Sequence, residues 1–213
     1  MRKNLLKQLT MALLLTVAVP TLNAQVHVGD ILCEGNAIVS PANYPSSGAT
    51  AIGVVFYVDN TGQHGWAVAL QDAGEYSWGN DRNDTPLPNY PEKRQAVYDL
   101  DGYENTRILR EDNTAHPAIY AVDFANGWYV PAIGQLNILY GNIMEVNDAL
   151  TVAGGVAFTL GGWKYWSSTE LSGHKAWCLN SVGDLDDSGS YNSNWCFYYN
   201  KSLERLVRAV RNF

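Results

Sequence analysis

β-Prone segments stand at both ends of this chain, with helix-prone segments between them. Residues 27–40 read as two short strands around Glu34-Gly35-Asn36. Ile52–Val58 is rich in β-branched and aromatic residues, Asp59-Asn60-Thr61-Gly62 supplies a turn, and Trp66–Leu70 returns as the second arm of a hairpin. Residues 71–103 are punctuated by Gly, Pro, Asn and Asp and read as a long ordered loop. Helices are predicted at His116–Ala125, with Pro117 in its first turn and Asn126-Gly127 at its end, and at Pro131–Tyr140, where Leu136, Leu139, Tyr140 and Ile143 share a face. A short third helix is predicted over Met144–Val152. Trp163–Thr169, His174–Asn180, Asn194–Asn200 and Arg205–Asn212 are again strands. A parallel α/β sheet requires strands and helices to alternate, and here they do not. The predicted class is α+β, mostly antiparallel, with two or three helices in the middle of the chain and the late strands pairing with the early ones.

The first residues belong to a different kind of segment. Arg2, Lys3 and Lys7 precede the apolar run Met11–Val19, and Leu22-Asn23-Ala24 offers a cleavage site before Gln25. That is the pattern of a secretory signal peptide over residues 1–24, and the run is shorter than the roughly 20 residues of a membrane span. Residues 25–213 then form a single domain. Removing three of the 14 basic residues leaves 11 against 21 acidic ones, a net charge of −10. Such a chain, with no Lys/Arg stripe, is not built for nucleic acid or for an anionic membrane surface. The expected location is secreted, periplasmic or on the cell surface. In an oxidising compartment Cys178 and Cys196, on neighbouring predicted strands, are candidates for a disulfide that would leave Cys33 odd; three buried thiols are the alternative.

The C-terminal quarter has an unusual composition. Residues 161–213 hold ten aromatics, and 12 of the 15 residues from Asn180 to Asn194 are Gly, Ser, Asn or Asp. Rigid aromatic anchors interleaved with small adaptable polar groups are what binding loops use. The competing reading is an exposed hairpin whose aromatics pack inward. Trp166 and Trp177 are read as core. Tyr191, Asn192, Asn194 and Trp195, beside the polar turn, are read as contacts. With His174, Lys175, Asp184, Asp186 and Tyr198 they make the predicted ligand-binding set. Asp184, Asp186 and Ser188 match the first half of a calcium loop, whose hard oxygen ligands alternate, but Trp195 stands where the closing bidentate acid belongs. An acidic turn without metal is the preferred reading, and no other cofactor is implied. Arg208 and Arg211 are expected on opposite sides of the last strand, one of them buried against an acid such as Glu170.

Catalytic signatures are missing: the sequence has no HExxH, GxSxG, phosphate-binding loop or GxGxxG. His27, His64, His116 and His174 show no metal-ligand spacing; His64 falls in a hairpin turn and His116 at a helix start. His174 and Cys178 fall on one face if both lie on a strand, with no third residue to orient them.

Three short pieces carry a family resemblance: Gly127-Trp128-Tyr129-Val130-Pro131 leading into Gln135-Leu136, Tyr165-Trp166-Ser167-Ser168-Thr169, and Val207-Arg208-Ala209-Val210-Arg211. In this order they resemble the DUF1566 (Lcl C-terminal-like) family, and Gly53–Tyr57 with Gly65–Ala69 is similar to its N-terminal hairpin. The resemblance spans roughly Val28 to Phe213. It implies a C-type-lectin-like fold of the variant seen in formylglycine-generating enzyme, with the ligand surface in the C-terminal half, here Leu171–Leu203. In some bacterial and phage proteins of this kind that surface is diversified by retroelements. The closely spaced reactive cysteines of formylglycine-generating enzymes are absent, Cys178 and Cys196 being 18 apart, and so are the sugar- and calcium-binding triplets of animal C-type lectins. Fold alone does not fix function. The expected function is therefore an exported, non-catalytic module that binds a protein or glycan. The alternatives are a structural accessory subunit of a fimbria or surface layer, and an exported enzyme with its site in the 71–103 loop.

Overall fold

The computed structural model describes residues 25–159, 161–162, 164–180, 184–185, 191–192 and 195–213, with the backbone alone at 184–185 and 191–192. In chain order the strands are β1 (Ile31–Cys33), β2 (Ile38–Val39), β3 (Ala51–Val58), β4 (Gly65–Ala69), β5 (Gly74–Ser77) and β6 (Lys164–Ser172). They continue with β7 (Lys175–Asn180), β8 (Asp184–Leu185), β9 (Tyr191–Asn192), β10 (Cys196–Asn200), β11 (Glu204–Val207) and β12 (Val210–Asn212). The helices are α1 (Tyr44–Ser47), α2 (Lys93–Ala96), α3 (Gly102–Glu111), α4 (Pro117–Tyr120), α5 (Ile133–Gly141) and α6 (Ile143–Val152). The molecule is thus α+β.

The first sheet has the order β12-β4-β3-β1-β2 and is antiparallel; the second, β10-β7-β6-β11-β5, is antiparallel except for the parallel β6–β11 pair. β8 and β9 form a separate small hairpin between β7 and β10. Late strands do pair with early ones: β12 lies beside β4, with Val210 opposite Val68, and β11 beside β5.

Alternate residues of β6 and β7 enter two different cores. Tyr165, Trp177 and Leu179 face a core shared with Val54, Phe56 and Val68 of the first sheet and with Leu136, Leu139, Val146 and Leu150 of α5 and α6. Trp166, Ala176 and Cys178 face a second core closed by Leu109 of α3 and by Ala118 and Ile119 of α4. A strand buried on both sides reads as an unbroken apolar run, as Ala176–Leu179 of β7 does, whereas β6 buries the polar Ser167, Ser168, Thr169 and Glu170 after its two rings. Trp166 and Trp177 are core residues, as expected.

Besides the helix predicted over His116–Ala125, which is the single turn of α4 followed by a separate 3-10 turn at Phe124–Asn126, three features differ from the sequence reading. The predicted last strand is two strands: the chain leaves the second sheet at Val207 and joins the first at Val210. Buried Arg208 sits at the crossing, where its Nε donates to Asp72 Oδ1 at 2.6 Å and its Nη1 to the Val156 carbonyl at 2.7 Å. Its acid is therefore Asp72, not Glu170, which instead pairs with Lys201. The 71–103 segment is not all loop, since it carries β5 and α2, and α3 begins at its end. α3 escapes apolar periodicity because Asn105 and Thr106 lie on its buried face. Asn105 Nδ2 donates to Asp99 Oδ2 at 2.9 Å, and Thr106 Oγ1 accepts from the Val130 N–H at 3.1 Å. Gly102 lets this helix approach α5, because a Cβ there would lie 2.3 Å from Gln135 Oε1.

The third correction concerns the disulfide. Cys178 lies opposite Phe197 and Cys196 opposite Leu179, so the two cysteines are one register step apart and point to opposite faces of the sheet. Cys178 belongs to the second core and Cys196 to the first. All three cysteines are free and buried. Burial pushes the thiols of Cys178 and Cys196 well above the ordinary range.

Candidate functional site

The three family-like motifs come together in space, and they do so as scaffold. Tyr129 exchanges both backbone hydrogen bonds with Val210, at 2.8 and 2.9 Å, and the Ser168 N–H donates to the Pro131 carbonyl at 2.8 Å. The Ile133 N–H, in the first turn of α5, donates to Thr169 Oγ1 at 2.9 Å. Segments roughly 40 residues apart in sequence are thereby tied into one buried polar seam, which Thr169 extends to Asp99 at 2.7 Å. Buried polar groups satisfied in this way specify a unique packing.

A second buried knot fixes the long loop to the end of the second sheet. Lys201 and Glu170 form an ion pair with side chains 1% and 0% exposed. Thr85 Oγ1 also donates to Glu170, and Lys201 Nζ donates to the Asn83 carbonyl at 2.7 Å while lying 4.7 Å from the centre of the Trp78 ring. Burial pushes the Glu170 carboxyl up, against the pull of Lys201 and Thr85. The knot carries the neighbouring Asp81 to His174, whose Nδ1 is 3.1 Å from Asp81 Oδ1 at the solvent-exposed β6–β7 turn.

From this frame β10 runs as the outermost strand of the second sheet, and cations lie over its rings. Trp195, just before the strand, is half-buried; it stacks on Tyr140 of α5 at 6.3 Å and carries Lys93 Nζ of α2 4.9 Å above its ring. Tyr198 meets Trp177 edge-on at 5.5 Å and carries Lys175 Nζ at 4.8 Å. On the opposite face Tyr199 carries both Lys164 Nζ, at 4.8 Å, and Arg205, at 4.3 Å, and its hydroxyl accepts from Asn180 Nδ2 at 2.9 Å. Cations over aromatic faces hold both partners in place while leaving them partly wet.

The predicted contacts divide accordingly. His174 and Lys175 stand at the β6–β7 turn, and Tyr198 lies along β10 between that turn and the opposite end. Trp195 stands at that opposite end, next to the β8–β9 hairpin, where the backbone pairs Asp184 with Asn192 and Leu185 with Tyr191. Asp186, Ser188 and Asn194 lie outside the described residues. The calcium candidate falls largely there as well; among the described residues no group of three or more His, Cys, Asp or Glu is placed to hold a metal. The second-core side of the sheet buries Cys178, while His174 is exposed and paired with Asp81, so those two do not form a nucleophile–base pair. Sequence reasoning missed Lys93, Tyr140, Lys164, Tyr199 and Arg205. They come from five separate elements, and no local pattern links them.

Among the described residues no helix is long and apolar enough to cross a membrane. The chain matches no protein-family model. No curated protein matches it either. Among solved structures, its fold is similar to the crystal structure of a fimbrial protein from Bacteroides ovatus ATCC 8483, with a TM-score of 0.61 and 16% sequence identity. The similarity covers 88% of this chain and 49% of that one, so the chain spans about half the length of the fimbrial protein whose fold it shares.

Proposed function

We propose that this chain is an exported, non-catalytic binding module of the bacterial surface, which recognises a protein or glycan through β7, β10 and the β8–β9 hairpin. The observation that carries this reading is the pair of half-buried rings on the first-core side of β10, Trp195 and Tyr198, each packed against a neighbouring ring and carrying a lysine ammonium over its face. Ordered aromatics with adjacent charge are the usual energetic centres of interfaces. The five residues of β10, at about 3.4 Å each, place its two ends roughly 17 Å apart. A ligand that reaches from His174 to Trp195 is therefore extended, as a peptide or oligosaccharide is.

The reading includes a C-type-lectin-like fold and kinship with the DUF1566 family. It is supported by the hydrogen-bonded convergence of the three motifs and by the C-terminal position of the ring-bearing strand. Binding to an array of immobilised glycans and surface proteins tests it: Tyr191→Ala and Trp195→Ala should each abolish the signals given by the unaltered protein, with the circular dichroism spectrum retained. Normal binding by both variants overturns the site.

The fold shared with half of a fimbrial protein favours a second reading, in which the same rings pack against a neighbouring subunit of a fimbria or surface layer. Light scattering at high protein concentration separates the two: a monomer that still binds array targets supports recognition, and ordered self-association abolished by Trp195→Ala supports assembly.

A further inference from the structure

A different place in the molecule is built to hold a small ligand. β3 and β4 pair regularly until Val55 faces Ala67; Phe56 is then an extra residue, and Tyr57 faces Trp66. A bulge of this kind re-aims the next side chain. Here it brings the Tyr57 and Trp66 rings into a stack, with centroids 4.3 Å apart and planes at 28°. A third ring arrives from the last residue of the chain: the Phe213 N–H donates to the Gly65 carbonyl at 3.2 Å, and a Cβ on Gly65 would lie 2.7 Å from Phe213 Cζ. Only glycine lets that ring settle against β4.

These rings line a cleft of about 380 Å³ together with Asp59, His64 and Asn212. The polar groups are fixed by their own bonds. Asp59 Oδ1 accepts from the Thr61 N–H at 3.0 Å and its hydroxyl at 2.6 Å, which holds the Asp59 carboxyl below its usual range, so it remains an ionised acceptor. Asn212 Oδ1 accepts from the Tyr129 hydroxyl at 2.8 Å, which directs the amide NH2 elsewhere as a donor. His64 is exposed in the turn above them.

We infer that this cleft binds a neutral pyranose ring. A sugar presents a flat C–H face, with partial positive charge, that suits the negative face of an aromatic ring, and a rim of hydroxyls that needs planar acceptors and donors beside it. Phe213 and the stacked Tyr57–Trp66 pair, outside the faces those two rings turn toward each other, supply the first as the cleft wall; Asp59, Asn212 and His64 supply the second. The volume lies at the small end of the range for ligand sites, roughly 300–1,000 Å³, which suits one ring. No Lys or Arg lines the cleft and one carboxylate does, so a uronic acid is disfavoured. The site lies on the first sheet, and the inference does not rest on the role proposed for β10.

Saturation-transfer NMR on the full chain tests it, with D-glucose, D-galactose, D-mannose and N-acetyl-D-glucosamine as neutral probes and D-glucuronate as the charged one. At least one neutral sugar should receive saturation at its ring C–H protons, with a Kd on the order of 1 mM for so few atoms. His64→Ala and Asn212→Ala alter exposed side chains and should each weaken that binding about fivefold. Trp66→Ala should abolish it, while Tyr191→Ala leaves it unchanged. Transfer to none of the neutral sugars, transfer undiminished in the folded His64→Ala/Asn212→Ala double variant, or glucuronate bound as well as glucose would each overturn the assignment.

Discussion

Replacing Lys201 by Met removes the ammonium, with its two bonds and its contact with the Trp78 ring, and keeps an aliphatic side chain of similar length. What remains is a carboxylate at Glu170, fully buried, holding only the Thr85 hydroxyl, and an Asn83 carbonyl without its donor. Breaking a buried ion pair from one side costs about 3–5 kcal/mol, because the surviving charge is uncompensated. For a domain of this size each kcal/mol lowers Tm by about 2–4 °C, so a fall of roughly 6–20 °C is expected near pH 7. The sign with pH follows from burial. The Glu170 carboxyl is already raised above its ordinary value, and loss of Lys201 raises it further. A group whose pKa is higher in the folded state stabilises most below its unfolded pKa, about 4.3, and this contribution is lost as pH rises through the folded value. The deficit of Lys201→Met should therefore shrink on going from about pH 7 to about pH 4. Guanidinium denaturation followed by circular dichroism at both pH values measures it. The double variant Lys201→Met/Glu170→Gln should recover most of the loss. A single-variant cost below about 1 kcal/mol near pH 7, or a deficit that does not shrink in acid, would refute the reasoning.

Two further outcomes are expected. Gly102→Ala should cost about 1–3 kcal/mol in the same denaturation experiment, because its Cβ would meet Gln135 Oε1 and the Ala132 N–H at 2.3 and 2.6 Å, with no room to yield. Thiol titration of the protein should count three free cysteines after unfolding and none that react readily in the native state, even near pH 9, because burial holds Cys178 and Cys196 protonated.

The β3–β4 hairpin and the helices α5 and α6 were legible in the sequence because each announces itself locally, through β-branched runs, turn residues or apolar spacing. The boundary between β11 and β12 was not, because no Gly, Pro or turn residue interrupts the segment from Arg205 to Arg211 and only Asp72, 136 residues from Arg208, shows that this arginine is buried. α3 was not legible because Gly102, Asn105 and Thr106 share its buried face with Leu109 and break the apolar spacing. The disulfide expectation failed on a register offset of one residue, which sequence cannot supply. At the candidate site the same limit holds: the aromatic identities of Trp195 and Tyr198 could be read, but the Lys93, Tyr140 and Lys175 contacts that orient them exist only once α2, α5 and β7 have met.

The most direct examination of the proposed recognition face is a backbone amide chemical-shift map of residues 25–213, titrated with whichever array target the protein binds most tightly. The shifts should concentrate on His174–Asn180, on the β8–β9 hairpin and on Trp195–Asn200. Shifts confined to the first sheet or to α3 and α4, with β10 silent, would contradict the account.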